Sequence, residues 1–133
     1  MTLSKKYLYA GGIFAGVLLL LCVAAFYWES QRIPDGVVDW RGRSEVSVVL
    51  TEKGFEPSRI RIDRGTKVVF STTRDKEFWP ASNPHPVHTL YSAFDARGPI
   101  APRTFWSFAP QQPGVWGYHD HVRSYFTGIL YVE

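Results

Sequence analysis

The chain of 133 residues has room for one domain, and its 45% hydrophobic and 20% charged residues are typical of a globular protein. The formal net charge of +3 comes with no basic block and no nucleic-acid motif, so we expect no nucleic-acid partner. The single cysteine, Cys22, lies in an apolar segment, which leaves no thiolate for a disulfide or a metal site elsewhere in the chain.

Residues 7–28 form an uncharged apolar segment behind Lys5 and Lys6. As a helix this segment would extend about 33 Å, enough for a hydrocarbon core of about 30 Å. Basic residues on its short N-terminal side place that end in the cytoplasm. A cleaved signal peptide and lipidation at Cys22 are alternative interpretations, although signal peptides have a shorter apolar region. We therefore predict a cytoplasmic N-terminus (1–6), a single-pass membrane anchor (7–28), a tether (29–43) and a domain (44–133) facing the periplasm or the cell exterior.

The predicted domain carries short strand patterns that are separated by turn residues. Residues 59–62 (RIRI) alternate between polar and apolar side chains, as expected of a half-buried strand. This succession of short strands predicts an all-β antiparallel sandwich. The stretches 72–86 and 91–103 are longer than usual hairpin loops, so we expect them to carry function. The other predicted strands cover residues 45–50, 68–70, 104–108, 115–119 and 129–132.

Two segments of the domain resemble cupredoxins. Residues 54–70 (GFEPSRIRIDRGTKVVF) are similar to the opening strands of that superfamily, and residues 113–132 (PGVWGYHDHVRSYFTGILYV) are similar to its closing hairpin. The resemblance extends over nearly all of residues 44–133. It implies a cupredoxin-like Greek-key β-sandwich, which in this chain would be preceded by one N-terminal transmembrane helix.

The same resemblance implies that a blue-copper site is absent. On the cupredoxin pattern His88 takes the position of the first histidine ligand, whereas Asp120 takes the position of the cysteine. Arg123 and Phe126 take the positions of the second histidine and the methionine. Because the thiolate is the ligand that defines a blue-copper centre, we exclude that type of site.

The histidines resemble those in the first domain of multicopper oxidases, where a His-x-His strand and a Tyr-His-x-His hairpin bind copper without cysteine. Residues 118–121 (YHDH) reproduce the hairpin, and residues 85–88 (HPVH) are a stretched version of the strand. Imidazole holds copper without a thiolate. Because Pro86 fixes the backbone between its neighbours, a capping or outer role for the first histidine stays open. The resemblance implies copper as the cofactor and His85, His88, His119 and His121 as its ligands.

Asp120 is open to two interpretations. Pointing inward, it would bind copper with His88 or pair with Arg123; pointing outward, it would accept a hydrogen bond from an imidazole, the role we favour. Asp95 and Arg97 are interpreted as a local ion pair. A solvated strand face is predicted at Arg59, Arg61 and Arg64. Five aromatic residues are interpreted as core or as walls of the site: Trp79, Trp106, Trp116, Tyr118 and Phe126.

The sequence thus predicts an extracytoplasmic copper-binding protein that handles copper or relays electrons through a histidine-rich, non-blue site. The sequence favours a non-enzymatic role without deciding whether the chain is an enzyme. Two alternatives from other classes are a copper oxidoreductase assembled as an oligomer and a metal-free interaction module. The expected partners are the membrane, a copper donor or acceptor, a redox protein, and further copies of the chain.

Overall fold

The computed structural model describes residues 5–30 and 32–133, with side chains described at 16–29 and 32–133. Residues 1–4 of the predicted cytoplasmic N-terminus and residue 31 of the predicted tether lie outside the described residues. The chain divides into two compact units, with the boundary between Pro34 and Asp35.

The first unit contains the helix α1 (Lys5–Ser30). The uncharged stretch 7–28 lies within this helix, as the sequence predicts. Among the described residues, however, no helix has the length and apolar character needed to cross a membrane. The membrane anchor is therefore not confirmed and stays a prediction.

The second unit is a β-sandwich, which confirms the predicted all-β class. Its described strands form a five-stranded sheet in the order β1-β4-β9-β8-β6 and a four-stranded sheet in the order β3-β2-β5-β7. The strands are β1 (Val38–Asp39), β2 (Glu45–Thr51), β3 (Gly54–Glu56), β4 (Arg59–Ile62), β5 (Lys67–Thr72), β6 (Pro80–Ser82), β7 (Phe105–Phe108), β8 (Gly114–Asp120) and β9 (Arg123–Val132).

The core lies between the two sheets because alternate residues of β2 and β5 turn their apolar side chains inward. Aromatic rings fill its centre, where Phe70 lies 5.5 Å from Tyr118 and 5.5 Å from Phe94 between ring centroids. Burial of each such side chain contributes about 1.5–3 kcal/mol. The buried core residues are Val46, Val48, Leu50, Phe55, Ile60, Ile62, Val68, Phe70, Phe78, Tyr91, Phe94, Tyr118, Leu130 and Val132.

The sandwich begins earlier in the chain than the sequence suggests. Its unit starts at Asp35, inside the stretch 29–43 that is predicted to be a tether. Strand β1 pairs in parallel with β4, where Val38 lies beside Ile60. Trp40 packs against the core. A two-residue strand carries too little alternation to be recognised in a sequence.

One predicted surface holds at Arg59 and Arg64, which are exposed, and is wrong at a single residue. The sequence indicates a solvated strand face at Arg59, Arg61 and Arg64, but Arg61 is buried, with 9% of its surface exposed. Its guanidinium donates hydrogen bonds to the carboxylate of Glu133. The partner lies at the far end of the chain, so the alternation within β4 could not indicate this ion pair.

The site is positioned by β6, which lies inside the stretch 72–86 that is predicted to be irregular. Strand β6 pairs antiparallel with β8 and sets Ala81 opposite His119. The chain then leaves the sheet in a loop that returns to it, because Ser82 N–H donates to the carbonyl of Phe94 at 2.7 Å. The Ser82 hydroxyl donates to the carbonyl of His88 at 3.0 Å. Both histidine clusters are thereby brought to one end of the same sheet.

Candidate metal centre

Four histidines converge on one point. His119 lies near the end of β8 and His121 follows in the adjoining turn, while His85 and His88 come from the loop after β6. One ring nitrogen from each histidine lies within 4.8 Å of the other three. At metal–nitrogen bonds of about 2.0–2.1 Å, opposite ligands of one ion lie about 4 Å apart. The group is therefore positioned to hold one metal ion, with all four ligands from a single chain.

The loop histidines differ in how firmly they are held. His88 is buried and adopts the left-handed conformation with φ of 53°, and its N–H donates to the Pro84 carbonyl at 2.9 Å. A non-glycine residue persists in that region only where its surroundings hold it, as the Ser82 hydroxyl does here. His85 is exposed. The buried histidine thus belongs to the folded frame, and the exposed one closes the group from the solvent side.

The outer hydrogen bonds fix which ring nitrogen of the buried histidines faces the centre. Nδ1 of His88 lies 2.9 Å from Oδ2 of Asp95, and Nδ1 of His119 lies 3.0 Å from Oδ1 of Asn83. Both oxygens are acceptors, so each Nδ1 carries the hydrogen. The lone pair of each neutral ring is then on Nε2, which points to the centre.

Inside the group the ring nitrogens face each other in two pairs. His88 Nε2 lies 2.8 Å from His121 Nδ1, and His85 Nδ1 lies 3.2 Å from His119 Nε2. With Nε2 as acceptor, His121 and His85 donate from Nδ1 in the metal-free protein. A metal ion would replace both internal hydrogen bonds after these two rings move their hydrogen to Nε2, without loss of a proton from the group.

The environment lowers the pKa of two of the four imidazoles. Burial, followed by the charges of the neighbouring histidines, lowers the pKa of His119 to about 4. The same causes lower the pKa of His121 below its ordinary value. Metals bind the unprotonated ring. Two of the four ligands are therefore ready to bind below neutral pH.

Asp95 has a different role from the one predicted. Arg97 contacts it through its backbone N–H, which donates to Oδ1 at 2.7 Å, so the predicted local ion pair is wrong. The same oxygen accepts the indole N–H of Trp79 at 2.7 Å. Burial raises the pKa of Asp95, but the hydrogen bonds from Trp79, Arg97 and His88 outweigh it and lower the pKa below its ordinary value. The carboxylate is ionised beside the metal centre.

Asp120 fills neither predicted role. Its side chain is fully buried, and Oδ1 accepts the N–H groups of Trp79 at 2.7 Å and Val122 at 3.3 Å. Within the described residues it neither joins the four-histidine group nor bonds an imidazole, and no ion pair links it to Arg123. Burial raises its pKa. Asp120 supports the site indirectly, by holding the backbone of Trp79.

The predicted aromatic residues divide between the core and the site. Tyr118 belongs to the core, and Trp106, Trp116 and Phe126 pack against it. Trp79 instead walls the metal centre, because its ring lies 4.3 Å from the ring of His121 between centroids. The sequence did not indicate Asn83 or Asp95 as contacts of the histidines. Only the folded loop brings Asp95 to Nδ1 of His88 and Asn83 to Nδ1 of His119.

No protein-family model matches the sequence, and no curated protein matches it either. Solved structures match it in fold. The Cu-containing nitrite reductase of Thermus scotoductus SA-01 aligns with a TM-score of 0.60 and 16% identity over 74% of this chain and 28% of the reductase. A purple cupredoxin from Nitrosopumilus maritimus aligns with a TM-score of 0.54 and 12% identity over 66% of this chain and 99% of the cupredoxin. Oxidised plastocyanin from Dryopteris crassirhizoma aligns with a TM-score of 0.52 and 18% identity over 66% of this chain and 100% of the plastocyanin.

The second unit has a cupredoxin-like fold. The similarity to these solved structures shows this architecture and confirms the resemblance found in the sequence. The chain spans little more than a quarter of the length of the reductase. The cupredoxin-like domain contains no cysteine, since Cys22 lies in α1. It is therefore a non-blue variant of the fold, with a four-histidine group in place of a thiolate site.

Proposed function

We propose that this chain is a copper-binding protein whose centre is a single ion held by four imidazoles. The convergence of His85, His88, His119 and His121 within one domain carries the proposal. Imidazole is a good ligand for copper, and copper(II) binds most tightly among the divalent first-row metals. The nitrite reductase of similar fold is itself a copper-containing protein, and the present residues fit that metal by their number and by the type of ligand atom.

Copper handling is the role that the site supports best. His88 and His119 are buried and held by outer acceptors, whereas His85 is exposed. This asymmetry provides a rigid inner half that captures the ion and an outer half through which the ion is exchanged. Electron relay is the second candidate, because the ring of Trp79 is packed on His121 and is itself half-buried, which links the centre to the surface.

A copper titration of the purified full chain tests the proposal. We expect one Cu(II) per chain, an electron paramagnetic resonance signal split by several nitrogens, and none of the intense blue absorption of a thiolate–Cu(II) bond. His119→Ala should abolish tight binding, while Ser92→Ala at an exposed loop position should not change it. Equal binding by all three proteins, or an intense blue colour, would refute the four-imidazole site.

We infer the location from the sequence alone. Residues 7–28 carry no charge, and Lys5 and Lys6 precede them, so the proposal is a single N-terminal anchor with the domain in the periplasm or at the cell exterior. Protease added to intact spheroplasts should digest the domain. Full protection, together with digestion after lysis, would contradict this location.

A further inference from the structure

We propose that Asp95 is a positioning residue that selects Nε2 of His88 as the metal-binding atom and, through Trp79, holds His121 against the same centre. The inference rests on the proposed metal site and extends it to residues outside the ligand set. Asp95 lies between the two side chains, with Oδ2 2.9 Å from His88 Nδ1 and Oδ1 2.7 Å from Trp79 Nε1.

The carboxylate determines the form of the imidazole. An ionised carboxylate has only acceptor sites, so His88 must carry its hydrogen on Nδ1 and present Nε2. That nitrogen is the one that faces His121 across 2.8 Å. Without this acceptor nothing on the outer side of the ring would prefer Nδ1–H, and the lone pair would be divided between the inner and outer nitrogens.

Asp95 is itself held from two further directions. Oδ1 accepts both the indole N–H of Trp79 and the backbone N–H of Arg97, each at 2.7 Å. An oxygen with two donors stays in place, which leaves Oδ2 aimed at His88. The carboxylate is therefore oriented before any metal binds.

Trp79 transmits the same restraint to a second ligand. Its backbone N–H is held by Asp120 at 2.7 Å, and its indole N–H by Asp95. The ring so fixed lies 4.3 Å from the His121 ring at an interplanar angle of 35°, and 6.0 Å from the His88 ring at 70°. One carboxylate thus limits the movement of two of the four imidazoles.

The chemical consequence is tighter metal binding. A carboxylate on the outer N–H fixes the ring and makes its inner nitrogen more basic, and loss of such a partner lowers metal affinity by about 10–100-fold. The outer partner of His119 is the neutral amide of Asn83. Metal binding by His119 should therefore depend less on the charge of its partner than metal binding by His88 does. A merely structural tether for the loop would act on stability and leave the hydrogen position on His88 unchanged.

The test uses the full chain with Asp95→Asn, Asp95→Ala and, as matched control, Asp75→Asn at a carboxylate that is largely exposed. Nitrogen-15 chemical shifts of the metal-free protein report which nitrogen of His88 carries the hydrogen. We expect Nδ1–H in wild type and in Asp75→Asn. In Asp95→Asn the amide oxygen should stay with the N–H donors of Trp79 and Arg97, which turns the NH2 group toward His88 Nδ1 and favours Nε2–H on that ring; Asp95→Ala, with no acceptor at all, should give a mixture. Cu(II) affinity should fall about 10–100-fold in the Asp95 variants and stay unchanged in the control.

An unchanged His88 hydrogen position in Asp95→Asn, with its isosteric side chain, would overturn the proposal even if Asp95→Ala failed to fold. A changed position with unchanged copper affinity would overturn the link to metal binding. If the wild-type protein bound no copper, the proposed function would fail, while the shifts of the metal-free protein would still decide whether Asp95 sets the form of His88.

Discussion

His119 is the most deeply buried of the four histidines, with 1% of its surface exposed. Burial and the neighbouring imidazoles lower its pKa to about 4 in the fold, whereas an unfolded histidine titrates near 6.5. Between these two pH values His119 is protonated in the unfolded chain and neutral in the folded chain. The free energy of unfolding of the metal-free protein should therefore fall as the pH drops from about 6.5 to about 4.

Replacement of this imidazole tests that origin of the pH dependence. His119→Asn keeps a polar side chain of similar reach but cannot titrate, so its free energy of unfolding should change less with pH across this window. Urea unfolding of both metal-free proteins at several pH values measures the two slopes. Equal slopes would assign the acid sensitivity to other groups.

The ligands should also differ in their individual contributions. His88 and His119 are buried and held by acceptors before metal arrives, and ordered ligands lose little conformational freedom on binding. We expect His88→Ala or His119→Ala to lower Cu(II) affinity by about 100-fold or more, near 2.8 kcal/mol. Replacement of the exposed His85 should lower the Cu(II) affinity by a smaller factor. Calorimetric titration ranks the variants, and a larger loss at His85 would contradict this order.

At the level of elements, the site depends on close packing between β8 and the loop that follows β6. A methyl group at Gly117 would lie 2.6 Å from Nδ2 of Asn83, whereas nothing lies within 4 Å of such a group at Gly98. Asn83 accepts from His119 through its other amide atom. Because Gly117 has no side chain, Asn83, the hydrogen-bond partner of the ligand His119, can lie directly against β8.

We therefore predict that Gly117→Ala displaces Asn83 and lowers metal affinity about 10-fold or more, as loss of an outer partner does. Gly98→Ala, the matched control, should bind like the wild type. Copper titration measures the effect, and circular dichroism establishes that both variants fold. Wild-type affinity in Gly117→Ala would show that Asn83 does not support His119.

Strand β1 is the other element whose importance the fold reveals. It extends the five-stranded sheet beside β4, and Trp40 behind it packs on the core. A chain that starts at residue 44 loses both, at a cost of about 1–3 kcal/mol. Its melting temperature should lie of the order of 10 °C below that of a chain starting at residue 35. Equal melting temperatures would mean that β1 adds no stability.

For the whole molecule, the supply of four ligands by one chain determines the expected assembly. A centre shared between copies would need ligands that point away from each other, but these ring nitrogens lie within 4.8 Å of one another. We expect one copper per chain and the same molar mass for the domain with and without copper. Light scattering combined with copper analysis checks both. A copper-dependent dimer would favour the oligomeric oxidoreductase that the sequence left open.

Much of the fold could be predicted from sequence because its patterns are local. The RIRI alternation of β4 and the valine-rich β2 indicate strands within a few residues. The YHDH and HPVH clusters likewise place the metal-binding chemistry, since imidazoles at short spacing are recognisable without coordinates. The absence of a cysteine after residue 22 excludes a thiolate site by composition alone.

Only the tertiary structure decided how those histidines are used. Asp95 and Asn83 become their outer partners through a loop that folds back on β6, and Asp120 turns to the backbone of Trp79 instead of a metal or an imidazole. Strands β1 and β6 are too short to recognise, and each exists because a neighbouring strand supplies its hydrogen bonds. The physical reason is common to all of these cases: a hydrogen bond or a burial between residues distant in the chain is a property of the assembled fold, which local sequence pattern does not carry.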